Sequence, residues 1–187
     1  MNEPWFHAVW TIGAYLLGSV PTGVLIARAK GVDIRAVGTG NPGAANVYRQ
    51  VGPAYGIGVY VLDVARGVAA TLPLFLLGLP AWSRMLAMVA VVAGHMFPAP
   101  WRSIGGTGMA VMMGAALGLL PLGVLVAAAP ALAFVRFTRN AGYAGGLYFL
   151  LTIAAGWVLH HDTVAVAAVV LGVAAVSGKS FVQYRGR

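Results

Sequence analysis

The sequence predicts an all-α integral membrane protein, one bundle of about seven transmembrane helices with five as the fallback, and three observations predict it. Hydrophobic residues make up 60% of the 187 residues and charged ones only 9%, so a water-facing surface cannot be assembled from this chain. The apolar residues fall into runs long enough to cross a bilayer, which takes about 20 residues as a helix. The twelve lysines and arginines, against four acids, sit mostly in short linkers between those runs. That placement fits cytoplasmic anchoring and disfavours a nucleic-acid groove, despite a net charge of +8. Cysteine is absent, which excludes disulfides, thiolate metal sites and cysteine nucleophiles.

The first apolar run covers about 5–27 and closes at Arg28 and Lys30. The N-terminus is therefore expected outside and residues 28–54 in the cytosol. Glu3 and the lack of basic residues ahead of this run point to a retained helix and not a cleaved signal peptide. Gly18, Ser19, Pro21 and Gly23 interrupt its inner end. Residues 55–79 cross outward and carry Asp63 and Arg66, one turn apart on one face, where they can pair within the bilayer. After an outer turn at 80–84, the run 85–98 returns and leads into a second glycine-rich inner loop at 102–108.

Residues 109–135 are too many for one span and few for two. Arg102 before them and Arg136 with Arg139 after them belong on the same side, which demands an even number of crossings. A tight hairpin of two short helices broken near Pro121 is expected. A third glycine-bearing inner loop is expected over 137–146. Runs at 147–159 and 163–177 then flank an outer turn at 160–162, leaving Lys179, Arg185, Arg187 and the C-terminus inside. Residues 1–187 read as a single domain, with three inner loops gathered at the cytoplasmic face of a cell membrane.

The first of those loops, 38–49, is a polar island in an apolar chain. Gly38, Gly40 and Gly43 let the backbone turn several N–H groups toward one point, and Thr39, Asn41, Asn46 and Arg49 add donors around it. Two readings fit, a phosphate cradle and an ordinary turn between helices. Neither GxGxxG nor GxxxxGK[ST] occurs. His95 reads either as a substrate-orienting proton acceptor or as a hydrogen-bonded packing residue. Arg139 reads as a phosphate contact or as a membrane-face anchor. His160 and His161 beside Asp162 lack a further ligand for a metal, and none is expected. Met109, Met112 and Met113 suit gap-filling, with an acyl-chain groove as the other reading.

Six segments in order, Gly18-Ser-Val-Pro-Thr-Gly23, Asp33-Ile-Arg35, the stretch 38–49, Leu62-Asp63 with Arg66-Gly67, Gly94-His95-Met-Phe-Pro98 and Gly105-Gly-Thr-Gly108, resemble the bacterial acyl-phosphate:glycerol-3-phosphate acyltransferases. The resemblance weakens through Thr138-Arg139 and fades after 146. It implies an integral seven-helix enzyme that moves a fatty acyl group from acyl phosphate to the 1-hydroxyl of glycerol-3-phosphate, giving lysophosphatidic acid for phospholipid synthesis. Its partners would be those two substrates and membrane lipids, with no nucleic acid and no cofactor. By the resemblance Thr39 stands where the family has serine. Asn41, Asn46 and Arg49 match the first phosphate-binding motif, and His95 and Pro98 match the second. The implied catalytic residues are Arg49, Asn41 and His95. The implied phosphate-binding set is Gly38, Thr39, Gly40, Asn41, Gly43, Asn46 and Arg49 from the first loop, Gly105, Gly106, Thr107 and Gly108 from the second, and Arg139.

Three departures accompany the resemblance. Ile104 and Thr107 occupy the positions of two lysines in the second loop, serines of the third loop are replaced near Gly142 and Gly145, and the family's late histidine and asparagine have no match around 177–181. A lost buried charged contact to phosphate weakens binding by on the order of a few kcal/mol, more than about a hundredfold in affinity. A degenerate relative that binds a phosphate ligand, lipid or partner without turnover is thus a second reading, and a small-anion transporter a third, although no inverted repeat is detectable. Arg102 and Lys179 are the candidates to replace the missing charge. Acyl phosphate is an activated mixed anhydride, so its transfer needs alignment and charge stabilisation and no covalent nucleophile or metal. The His-x4-Asp pattern of other glycerolipid acyltransferases and the Gly-x-Ser-x-Gly elbow are both missing.

Overall fold

A computed structural model describes residues 3–101 and 104–185. Arg102 and Arg187 lie outside the described residues. All regular structure in the described residues is helical. Helix α1 (Pro4–Gly18) opens with proline at a position where its missing N–H costs nothing. It stops short of Pro21, which cannot donate and holds the residue before it out of the helical region. The chain resumes as α2 (Thr22–Arg28). The first loop follows, then α3 (Ala44–Gln50), α4 (Pro53–Leu76) and α5 (Ala81–Met96). Beyond the second loop come α6 (Met109–Ala115), a 3-10 turn (Ala116–Gly118), α7 (Pro121–Thr138), α8 (Ala141–His160) and α9 (Thr163–Arg185).

Five helical stretches are long and apolar enough to cross a membrane: Pro4–Arg28, Pro53–Leu76, Pro121–Thr138, Ala141–His160 and Thr163–Gln183. Helix α5 has 16 residues, and Met109–Gly118 is shorter still. At about 1.5 Å per residue the latter reaches roughly half the depth of a hydrocarbon core. Leu132, Phe137, Leu171 and Val182 are all more than two-thirds exposed, a face suited to lipid and not to water.

The break near Pro121 falls where the sequence places it, but the hairpin is not two short helices. Its first arm is short, whereas α7 has 18 residues, because the helix continues past the end of the apolar run to Thr138. The third inner loop is also corrected. Helices α7 and α8 are separated only by Arg139, at a left-handed φ of 53°, and Asn140. The Asn140 side-chain oxygen accepts from the amides of Gly142 and Tyr143 at 3.0 and 3.2 Å, so it caps α8 six residues before the expected start at 147. Gly142, Gly145 and Gly146 thus lie inside a helix. Glycine costs a helix about 1 kcal/mol, and packing overrides that preference here.

Side-chain contacts sort the helix ends into two groups. At one end His7 pairs with Ser83 at 2.8 Å, Arg84 donates to the Gly118 carbonyl at 3.0 Å and faces Asp162 at 3.4 Å, and the Leu122 amide donates to His160 Nε2 at 3.1 Å. At the other end the two glycine-rich loops meet. The main core lies between α4, α5, α6, α8 and α9, with Leu74, Met88, Val91, Met112 and Val169 fully buried. A smaller core of Val24, Ala27, Ile34, Val47 and Val59 sits beneath the first loop and fixes it to α2 and α4.

Candidate functional site

The first loop is built around Asn46, which is 2% exposed. Its side-chain oxygen accepts from the Thr39 amide at 3.1 Å, and its nitrogen donates to the carbonyls of Ile34 and Val37, both at 3.1 Å. The Gly40 amide donates to Val37 and the Gly43 amide to the Asn41 side chain, at 2.9 and 3.0 Å. Gly38 and Gly40 take the left-handed φ values of 57° and 56° that these bonds require. The expected cradle of free amides is therefore corrected at three of its positions. The amides of Thr39, Gly40 and Gly43 are engaged within the loop, and so is the whole Asn46 side chain, because a buried polar loop must satisfy its own groups first. What remains for a ligand is the amides of Asn41, Ala44 and Ala45, which have no acceptor among the described residues, with the Asn41 amino group and the Thr39 hydroxyl, which is buried and has no hydrogen-bond partner.

The second loop folds back over the end of α5. The Gly105 amide donates to the Met96 carbonyl at 3.0 Å, bringing Gly106 against His95. A methyl carbon on Gly106 would stand 2.5 Å from His95 Nε2 and 3.5 Å from Asn41 Oδ1, so only glycine fits. His95, Asn41 and Gly106, which are far apart in the chain, thus meet at one point. Arg35 links the same two loops from outside, donating to the Ile104 carbonyl at 3.5 Å.

A narrow crevice, partly open to solvent, runs beside this meeting point, lined by Ser19, Thr22, Arg35, His95, Gly105 and Gly106 among others. Its floor is the break between α1 and α2. The carbonyls left open there are taken by Arg66, which donates to Gly18 at 3.0 Å and to Leu17 and Val20, to the Thr22 hydroxyl at 3.0 Å, and to Asp63 in a buried ion pair. Thr22 in turn donates to Asp63 at 2.8 Å.

Of the residues singled out from the sequence, Asn41, His95, Gly105 and Gly106 come together. Arg49 lies on the exposed face of α3, outside the lining of the crevice. The ion pairs among the described residues are Arg66 with Asp63 and Arg84 with Asp162, so neither Arg49 nor Arg35 is neutralised by a carboxylate. Thr107 is half-buried beside Gly106, and Arg139 is exposed at the α7–α8 turn, away from the crevice. Ser19, Thr22 and Arg35 were not selected as site residues. Their signal was present, since 18–23 and 33–35 belong to the family-like segments, but residue type alone does not tell a lining position from a packing one.

Lys179 reaches the second loop from α9. Its ammonium donates to the carbonyls of Met96, Gly105 and Gly106 at 2.6, 3.2 and 2.8 Å. Of the two cations considered as replacements for the absent lysines, this one is described, and it is in contact with the loop.

Residues 8–185 match the family model described as glycerol-3-phosphate acyltransferase. The chain is similar to a glycerol-3-phosphate acyltransferase of Geobacter metallireducens, 46% identical over 114 residues, which covers 61% of this chain and 59% of that protein. It spans about three-fifths of the length of the curated relatives it matches. Among solved structures it is similar to PlsY (YgiH), an integral membrane glycerol 3-phosphate acyltransferase. The match to the glycerol 3-phosphate form has a TM-score of 0.82 and 30% identity over 91% of this chain and 86% of that one. The match to the lysophosphatidic acid form has a TM-score of 0.81 and 27% identity over 96% and 88%.

Proposed function

The chain belongs to the glycerol-3-phosphate acyltransferase family, and from that membership we propose that it transfers a fatty acyl group from acyl phosphate to the 1-hydroxyl of glycerol-3-phosphate. The hydroxyl oxygen attacks the acyl carbonyl carbon, an ester C–O bond forms, and the bond from that carbon to the phosphate oxygen breaks. Phosphate leaves with the bonding electron pair, the hydroxyl proton passes to a phosphate oxygen or to water, and lysophosphatidic acid is the lipid product. The protein's task is alignment and charge stabilisation.

The observation that carries this reading is the meeting of Asn41 from the first loop and Gly106 from the second with His95, beside a crevice that His95 and Gly106 line. Asn41 and His95 orient the acceptor, Arg35 in the crevice lining and Arg49 on the exposed face of α3 supply positive charge unpaired by carboxylates, and Thr39 with the second loop holds phosphate. Lys179 does not replace the absent lysines as a phosphate contact, because its ammonium is held by the carbonyls of Met96, Gly105 and Gly106.

The same reading gives seven crossings, with the N-terminus outside and the site in the cytosol. Arg28, Lys30, Arg35, Arg49, Arg136, Arg139 and Lys179 lie at the site end, while Arg84 is the cation at the opposite end among the described residues; this bias is that of a cytoplasmic face. In this reading α5 crosses beside longer neighbours, and Met109–Gly118, packed among them, runs from the site end to Gly118, where the Arg84 side chain meets it.

The test is purified protein supplied with acyl phosphate and glycerol-3-phosphate. Release of phosphate that depends on glycerol-3-phosphate and is lost in Arg49→Ala supports acyl transfer. Folded protein that binds inorganic phosphate without turnover supports the degenerate relative, and anion flux into liposomes without transfer supports a transporter.

A further inference from the structure

Resting on the reading of this crevice as a phosphate site, we infer that Lys179 is a positioning residue that sets the second glycine loop from behind, so that the amides of Gly106 and Thr107 face an anion. The ammonium has three protons, and three carbonyls take them: Met96, Gly105 and Gly106. It also stands 4.7 Å from the centre of the Phe97 ring. It has no donor left for a substrate and does not line the crevice. Its action passes through the peptide planes it holds.

A trans peptide carries its C=O and its N–H on opposite sides, and the described residues contain no cis peptide. The Gly105 and Gly106 oxygens are turned onto Lys179. The N–H groups of the same two planes, those of Gly106 and Thr107, therefore turn away from it. Neither amide has an acceptor among the described residues. Gly105 and Gly106 line the crevice and Lys179 does not, so the side turned away from the lysine is the crevice side, where Gly106 lies against His95 and Asn41.

A run of glycines does not hold two planes in one orientation unaided, since glycine has the widest backbone freedom of any residue. The cation behind the loop removes that freedom and polarises the two peptide groups, making each N–H a stronger donor to negative charge. The ligand chemistry is a phosphate oxygen, from the acyl donor or from the acceptor. Among the described residues of the loop, 104–108, no side chain carries charge: Ile104 is 71% exposed and apolar, and Thr107 is neutral. The charge behind the loop comes instead from α9, 73 residues further along the chain from Gly106.

Lys179→Met keeps the apolar stem and removes the ammonium. The expected results are faster hydrogen exchange in the loop 104–108, affinity for inorganic phosphate reduced about tenfold or more, a matching fall in kcat/KM, an unchanged unfolding temperature, and partial recovery in Lys179→Arg. Lys179→Gln, which keeps two donors without charge, serves if the methionine variant does not fold. Unchanged exchange overturns the inference, as does raised exchange with unchanged phosphate affinity, or wild-type protein that binds no inorganic phosphate. If wild-type protein binds phosphate but transfers no acyl group, the enzymatic reading fails alone. The exchange and binding comparisons then still decide the role of Lys179.

Discussion

Arg66 and Asp63, one turn apart on α4, form a buried ion pair whose guanidinium also closes the carbonyls of Leu17, Gly18 and Val20 at the broken end of the first membrane helix. The pair is a structural joint. A helix ended within a membrane leaves carbonyls that neither lipid nor water can satisfy, and one planar group with several donors takes them at once.

Removing one partner strands the other. Arg66→Met is expected to cost about 3–5 kcal/mol, the range for breaking a buried pair, and Thr22→Val about 1 kcal/mol for one lost hydrogen bond. Thermal unfolding in detergent measures both. An Arg66→Met protein as stable as wild type would show that the break is held by something else.

Gly106→Ala tests the meeting of the two loops. The added methyl carbon would lie 2.5 Å from His95 Nε2 and must displace either the ring or the loop. Turnover is expected to fall about a hundredfold, the order that an ångström of misplacement costs, with the unfolding temperature little changed. Full activity in this variant would mean that His95 and the second loop do not act together.

Asn46 and Arg49 share one short helix and are expected to fail differently. Asn46→Ala removes three hydrogen bonds to the first loop and is expected to lower stability by about 2–3 kcal/mol, with activity lost alongside. Arg49→Ala changes an exposed side chain, so stability should stay within about 0.5 kcal/mol while acyl transfer is abolished. Paired unfolding and phosphate-release assays separate the two. A stable but inactive Asn46→Ala would return that residue to the substrate.

At the far end of the bundle, Asp162 accepts from the Ala165 amide at 3.0 Å and faces Arg84 at 3.4 Å. Asp162→Ala is expected to cost about 1–2 kcal/mol through the lost helix cap and to leave KM for glycerol-3-phosphate unchanged. A KM that rises severalfold would couple this end to the crevice.

The absence of native cysteine makes the topology directly testable. Ala36→Cys beside the first loop and Leu77→Cys at the end of α4 away from that loop are both exposed positions. An impermeant maleimide added to right-side-out vesicles is expected to label only Leu77→Cys, and added to inside-out vesicles only Ala36→Cys. The opposite pattern inverts the proposed orientation.

The sequence by itself determined the membrane class, the break near Pro121, the position of Asp63 relative to Arg66 and the first-loop segment, because hydropathy, proline and short spacing act locally along the chain. It misjudged 137–146 because glycine content signals a loop, whereas the Asn140 cap and packing against neighbouring helices keep those residues helical. Only the tertiary structure decided how the loop groups are used. It engages Asn46 and three amides in the loop's own bonds, seats Gly106 between His95 and Asn41, and carries Lys179 from the last helix to carbonyls more than seventy residues earlier. A polar side chain inside a bundle bonds to whatever the packed helices bring within about 3 Å, and that neighbour is set by how the helices assemble, which spacing along the chain does not record.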